Sequence, residues 1–290
     1  MTDLPAYATA ARSSLTVAEG MAYGRRALAA SRTASLDTQL LLGHVLRRGR
    51  SWVLAHDDEE LDESTAATFR ALIERRAAGE PVAHLRGFVE WYGMHIEVGP
   101  QVLVPRPETE LLAEEATRVA TARGVQSIAD IGTGSGAIAI ALARELPDVG
   151  IFAADVSHEA LMMARKNAAA LGCEDRISWL RGNLLTPLSQ RPDLIVANLP
   201  YLSNEMMGQL DADVRHEPAG ALYGGPTGIE LYEELFRQRE TRKWNAPVLA
   251  EIDPRQAAAM SGLLRDRSHE SLVRIEPDYA GLPRIVVVGA

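Results

Sequence analysis

Two short segments of this 290-residue chain combine residue types that could do chemistry. The first is Asp130-Ile131-Gly132-Thr133-Gly134-Ser135-Gly136. Glycine tolerates positive φ and places no Cβ between the backbone and a ligand. Three glycines at alternate positions therefore describe a turn that a ligand can approach closely. A dinucleotide fingerprint spaces its glycines G-x-G-x-x-G and holds a pyrophosphate on helix amides. Here the spacing is G-x-G-x-G, with an acid two residues earlier. S-adenosylmethionine has no phosphate and carries an ammonium and a sulfonium, so an acid near the turn favours it. Asp155 ends the next strand-like run, where a carboxylate can accept both ribose hydroxyls. Two competing readings are a plain tight turn beside a surface aspartate and a nicotinamide cofactor. The flanking acids weigh against the first, and the glycine spacing against the second.

The second segment is Asn198-Leu199-Pro200-Tyr201, directly after an apolar run. An amide nitrogen is a poor nucleophile, because its lone pair is delocalised into the carbonyl. A site that methylates one must hold that nitrogen in line and stabilise the charge that develops on it. The Asn198 side-chain oxygen and a backbone carbonyl can each accept one N–H of a planar –NH2. Pro200 fixes φ and stiffens that backbone, and Tyr201 offers a flat face to a planar group. Asn198, Pro200 and Tyr201 are thus the expected catalytic residues, and Asn198 to Tyr201 the expected acceptor site. A strand-ending turn is the competing reading, since Asn and Pro are common in turns.

These segments need a scaffold. From about residue 107 strands and helices alternate: helix 108–122, strand 127–131, helix 137–145, strand 151–154, helix 158–170, then strands 177–180, 193–197, 248–252, 270–276 and 284–288. This is the pattern of a Rossmann-like α/β domain with a mostly parallel sheet, which binds ligands beyond the carboxyl ends of its strands. Residues 6 to about 80 read as helical, with Asp37 capping the run Thr38 to Leu46 and Asp62 preceding a further helix. Residues 88–92 and 94–98, parted by Gly93, read as paired strands in a connector. The expected domains are therefore a small all-helical unit over 1–80, a β-hairpin connector over 81–106 and an S-adenosylmethionine-binding domain over 107–290.

Composition narrows the alternatives. A formal net charge of −9 disfavours a nucleic-acid partner, which needs clustered Lys and Arg, and the densest such cluster is Arg47-Arg48-Gly49-Arg50. The single cysteine, Cys173, excludes an internal disulfide and a multi-cysteine metal site, and points to a reducing cytoplasm. Glu174 and Asp175 beside it would raise its pKa, so it is read as inert. No metal site is expected. No apolar run approaches the ~20 residues of a membrane span. Asp3, Pro5 and the lack of an apolar h-region argue against a signal peptide. Residues 8–36 weakly resemble a transit peptide, but Leu15, Ala18, Met21, Ala22 and Leu28 look more like a helix face. The want of an obvious apolar patch favours a monomer.

The Asn-Leu-Pro-Tyr tetrad resembles the N-P-P-Y signature of methyltransferases acting on adenine, cytosine or glutamine amide, with Leu199 in place of the commoner proline. It does not choose among those acceptors. Val104-Pro105-Arg106-Pro107-Glu108-Thr109-Glu110 resembles the segment before the catalytic domain in protein-(glutamine-N5) methyltransferases of the HemK/PrmC family. His84-Leu85-Arg86-Gly87, Glu90-Trp91-Tyr92-Gly93, Arg75 to Pro81, His216-Glu217-Pro218 and Gly224 to Gly228 are similar to that family as well, so the likeness spans nearly the whole chain. It implies methylation of the glutamine in the Gly-Gly-Gln loop of peptide chain release factors, with the helical domain docking the factor. By the same resemblance the cofactor would be held by Gly132, Thr133, Gly134, Ser135, Gly136, Asp155, Asn183, Leu184 and Asn198. Arg106, Glu108 and Glu110 fit either a solvated helix start or a role in organising the pocket. Two departures stand out: Asn183 where relatives often carry Asp near the adenine, and Trp244-Asn245-Ala246-Pro247 where they often have a Gly-Gly turn. A nucleic-acid N-methyltransferase is the main alternative, and a non-catalytic module binding translation factors the other.

Overall fold

The structure, a computed structural model, describes residues 15–267 and 273–289. The N-terminal residues, with the helix expected over 6–14, and the expected strand start at 270–272 lie outside the described residues. The chain divides into two compact units, Met1–Arg86 and Gly87–Ala290. This boundary leaves the hairpin with the second unit.

The first unit consists of α1 (Val17–Ala27), α2 (Ala34–Leu46), α3 (Arg50–Ala55), α4 (Glu63–Ala77) and α5 (Val82–Arg86), with a two-residue pairing of β1 (Leu15–Thr16) and β2 (Glu60–Leu61). Thr16 and Glu19 form a reciprocal capping box at the start of α1. Asp62 caps α4 by accepting the Thr65 amide at 2.8 Å. Leu41, Leu42, Phe69 and Ile73 are fully buried at the centre. Asp37 does not cap α2, which begins three residues earlier. Its carboxylate is buried and ion-paired with Arg76 at 2.8 Å, so it ties α2 to α4. The sequence shows an acid near a helix start; only packing reveals the arginine 39 positions away.

The second unit opens with the hairpin β3 (Phe88–Trp91) and β4 (Met94–Glu97). Tyr92 and Gly93 both have positive φ, +50° and +65°, as a two-residue hairpin turn requires. Then come α6 (Glu108–Arg123), β5 (Ser127–Ile131), α7 (Ala137–Glu145), β6 (Gly150–Asp155), α8 (His158–Ala170), β7 (Ile177–Arg181) and β8 (Leu194–Ala197). α9 (Asn204–Gly208), α10 (Ala219–Leu222), α11 (Glu230–Thr241), β9 (Val248–Glu251), α12 (Ala257–Arg267), β10 (Val273–Pro277) and β11 (Pro283–Val288) complete it. The alternation expected from sequence is present, and α9 to α12 add helices that the pattern did not reveal. In α11 only Tyr232, Leu235 and Phe236 make the buried apolar stripe, too narrow to stand out among charged residues.

The sheet order is β10-β11-β9-β8-β5-β6-β7, and β11 alone runs antiparallel to the other strands. β8 is buried along its whole length, which accounts for its unbroken apolar sequence. The chain runs outward from β5 through β6 to β7, then returns to β8 on the other side. That reversal opens a crevice at the carboxyl ends of β5 and β8.

Candidate active site

Strand register sets the site. Ile131 pairs with Ala154 on one side and Ala197 on the other, and Ala197 pairs with Ala250. The next residue of each strand is Gly132, Asp155, Asn198 and Glu251. The glycine turn, the acid after β6 and the Asn-Leu-Pro-Tyr segment therefore leave the sheet side by side, though they are far apart in sequence.

Gly132, Gly134 and Gly136 have φ of +77°, +55° and +83°, a conformation side chains disfavour. A Cβ on Gly134 would meet no atom closer than 3.9 Å, so this glycine leaves open room for a ligand. The Gly132 and Thr133 amides donate to Ala154 O at 2.8 and 3.0 Å. The Gly134 and Ser157 amides donate to the two Asp155 carboxylate oxygens at 2.9 and 2.8 Å. Burial raises the Asp155 pKa against these amides, and each oxygen keeps capacity for a further donor. Asn167, buried in α8, donates to Ser135 O at 2.9 Å and to Glu97 O at 3.0 Å.

The acid before the turn has a different place from the one its spacing implied. Asp130 is fully buried behind the glycines, accepting the Thr133 hydroxyl at 2.6 Å and the Ala139 amide at 3.2 Å. Burial, with the Asp155 charge adding, pushes its pKa up to about 7. It braces the turn and does not line the cavity.

The tetrad is held from several directions. Asn198 donates through Nδ2 to Thr109 Oγ1 at 3.1 Å, while its Oδ1 is buried with no hydrogen-bond partner. The Leu199 amide donates to the Tyr232 hydroxyl at 3.3 Å, and that hydroxyl donates to Glu251 O. Gln256 donates to Tyr201 O at 2.7 Å. Gly224 and Gly228 press so closely on Pro200 and Tyr201 that a Cβ on either would collide with that backbone. Burial pushes the Tyr201 hydroxyl up to about 12, so it stays a neutral phenol.

A cavity of about 470 Å³ joins these parts. Its lining includes Gly132, Thr133, Gly134, Ser135, Asp155, Asn183, Leu184, Asn198, Leu199 and Pro200. Gly136 and Tyr201 stand behind the wall. Gly136 begins α7 against Ala164, where a Cβ would lie 2.9 Å from that residue's own. Tyr201 turns inward to the core shared with Leu199 and Tyr232. Gln101, Val102, Leu103, Pro105 and Thr109 close one side, and Pro218, Gly220, Ala221 and Tyr223 another. These residues were not assigned to a site from sequence. Pro105, Thr109 and Pro218 carried one signal, membership in segments that resemble the family.

Glu108 is exposed, whereas Arg106 and Glu110 have structural partners. Arg106 pairs with the buried Glu217 at 2.6 Å, and Glu217 also accepts the Val104 amide at 3.2 Å. Burial holds Glu217 above the usual carboxylate range despite that arginine. Glu110 accepts the Tyr92 amide at 2.7 Å and so fixes the hairpin turn. Neither Arg106 nor Glu110 is a merely solvated helix start, and neither lines the cavity. Cys173 is buried, and burial, not its acidic neighbours, raises its thiol pKa.

Among the described residues the lining contains no Lys, Arg or His, and Asp155 is its only charged residue. Such a pocket suits a cationic ligand, and with a carboxylate facing it and no basic side chain to pair a pyrophosphate it disfavours that group. The donor set thus fits S-adenosylmethionine better than a dinucleotide.

Comparison with known proteins agrees with this geometry. The family described as "PrmC N-terminal domain" matches residues 19–87, and "Methyltransferase small domain" matches residues 107–215. The chain is 38% identical over 267 residues to the release factor glutamine methyltransferase of Moorella thermoacetica, covering 91% of this chain and 94% of that protein. It is 39% identical over 256 residues to the Deinococcus radiodurans protein of that name, covering 87% and 89%. Among solved structures it resembles the hMettl16 catalytic domain in complex with a MAT2A 3′UTR hairpin, with TM-score 0.56, 14% identity and coverage of 78% and 81%. That last likeness concerns the fold alone.

Proposed function

We propose, from the premise that this chain belongs to the release factor glutamine methyltransferase family, that it methylates the side-chain amide nitrogen of the glutamine in the Gly-Gly-Gln loop of a peptide chain release factor. The observation that carries this reading is the Asn198 Oδ1 atom. It is a buried acceptor without a partner, in a residue lining the cavity. Leaving such an atom unpaired costs about 1–3 kcal/mol. An N–H of a planar –NH2 is a donor that satisfies it.

S-adenosylmethionine, when bound, supplies the methyl group on a cationic sulfur. Gly132, Thr133, Gly134, Ser135, Asp155, Asn183 and Leu184 would hold it, with Gly136 shaping the turn from behind. Asn183 stands where relatives often carry Asp, and its side-chain oxygen could accept the adenine amino proton. On the acceptor side, Asn198 takes one N–H of the glutamine amide and a main-chain oxygen of the tetrad takes the other. The methylated nitrogen becomes cationic, so the Asn198 oxygen binds the transition state more strongly than the ground state. The proton displaced by the methyl group then leaves, and no strong base is needed. Pro200 keeps the backbone stiff, and Tyr201 supports it from the core as a neutral phenol.

The acceptor is protein and not nucleic acid, a reading supported by the absence of Lys and Arg from the cavity lining among the described residues. Among the described residues no helix is long and apolar enough to cross a membrane. The chain acts in the cytoplasm as a monomer; its exposed large apolar side chains, such as Leu54, Met162 and Leu282, occur singly along the sequence. The test is incubation with methyl-labelled S-adenosylmethionine and a purified release factor. One glutamine side chain should carry the label; label on RNA or DNA with an unlabelled factor overturns the assignment.

A further inference from the structure

Two segments that flank the tetrad in the cavity wall are held by unequal means. One contributes Val102, Leu103 and Pro105 and rests on firm structure. Val102, Val104 and Pro105 are buried, and the Arg106 carbonyl accepts the indole N–H of the buried Trp91 at 2.8 Å. The other contributes Pro218, Gly220, Ala221 and Tyr223, from the stretch that follows the tetrad. It runs beside the tetrad because the Leu202 amide donates to Leu222 O at 2.9 Å and the Gly224 amide to Leu202 O at 3.0 Å. Of residues 200–221, Glu217 alone is buried. A stretch with so little buried apolar surface opens locally at low cost unless something else ties it down.

The tie is a carboxylate. Glu217 Oε1 accepts from Arg106 Nη2 at 2.6 Å, and Glu217 Oε2 accepts the Val104 amide at 3.2 Å. Both donors belong to the firm segment, 111 and 113 positions away in the chain. The Glu217 side chain is 2% exposed and that of Arg106 32%, so water is kept from the carboxylate end of this charge-assisted bond.

We propose, on the assignment of an amide acceptor above, that Arg106 and Glu217 are positioning residues: they clasp the stretch after the tetrad to the segment before α6, and so set how well a protein acceptor is gripped between the two. Neither side chain lines the cavity, so both act through the walls they join. Only a carboxylate serves both donors. A glutamine at 217 offers one oxygen and turns an –NH2 toward the second donor. The glycine turn and Asp155 take no part in the clasp, so cofactor binding is spared.

Kinetics, calorimetry and limited proteolysis test this. Glu217→Gln and Arg106→Met should each raise the KM for a release factor about tenfold or more, with a smaller change in kcat and less than about a twofold change in the cofactor dissociation constant. Arg106→Lys, which keeps the charge without the planar fork, should recover most of the Arg106→Met loss. In ligand-free protein, trypsin should cut after the exposed Arg215 faster in Glu217→Gln and Arg106→Met than in wild type, read by mass spectrometry of the fragments. Should Glu217→Gln fail to fold, Arg106→Met decides alone. A KM unchanged in the variants, a cofactor affinity that falls as far as KM rises, or a lysine variant as poor as the methionine one would each overturn the clasp. A wild-type protein that labels no release factor defeats the acceptor assignment instead; cutting after Arg215 still decides the clasp, and equal rates in variant and wild type overturn it.

Discussion

The glycine turn and the Asn-Leu-Pro-Tyr segment follow adjacent parallel strands, and they are built in opposite ways. The turn takes its shape from its own positive-φ glycines and from β6, whose Ala154 carbonyl and Asp155 carboxylate receive its amides. Its farthest polar clamp, Asn167, is 32 residues away. The tetrad makes little of its own shape. Thr109 holds it from 89 residues upstream, Gln256 from 55 downstream, and Tyr232, Gly224 and Gly228 from the intervening chain. A cofactor common to many enzymes can be held by a local motif of backbone amides. An acceptor site that must orient one carboxamide needs side chains converging from the whole unit.

This contrast says that damage to the turn should fall on cofactor affinity and damage to the tetrad on turnover. The largest effect is expected at Asn198. Asn198→Ala should reduce turnover by about two decades or more, with a smaller loss of cofactor affinity; equal losses would move Asn198 to the cofactor side. Next is Asp155→Ala, which should weaken cofactor binding by ~1.5–3 kcal/mol, as for a hydrogen bond to a charged group. Calorimetric titration measures this, and an unchanged dissociation constant removes Asp155 from the site. Gly228→Ala sharpens the comparison, because its Cβ would strike the Tyr201 carbonyl and Gln256 at a φ of +87°. About a tenfold fall in turnover with unchanged cofactor binding is expected, of the size of local backbone strain. A loss of cofactor affinity as well would show that the two sides are not separately held.

A further effect concerns stability. Asp130 binds its proton more tightly folded than unfolded, because burial moves its pKa from 3.8 to about 7. Its contribution is therefore greatest below the unfolded value and is lost as pH rises toward the folded one. Relative to wild type, Asp130→Asn should gain stability on the order of 1 kcal/mol per pH unit across that window. Denaturant unfolding at several pH values measures the difference, and a difference independent of pH would mean that Asp130 is ionised throughout.

What was legible in the sequence follows the same division. The bounds of β5, α7 and α8 came from periodicity and glycine placement, since local backbone preference and an apolar face agree there. The glycine turn, Asp155 and Asn198 could be picked out because each is an unusual residue at a strand end. Asp37 misled, because a buried ion pair and a helix cap look alike until the partner arginine is seen. Asp130 misled for a similar reason: its spacing to the glycines was plain, but not that it points behind them.

The order of elements, the glycine conformations and the chemistry available at each strand end were set by residue type and spacing alone. Strand register then decided which of those ends are neighbours, because Ile131, Ala154, Ala197 and Ala250 align across four strands. Burial decided which acids carry charge, since desolvation depends on surroundings that no local pattern contains. The polar partner of the Asn198 carboxamide was decided last, by a Thr109 hydroxyl that reaches it only when the sheet and α6 are assembled.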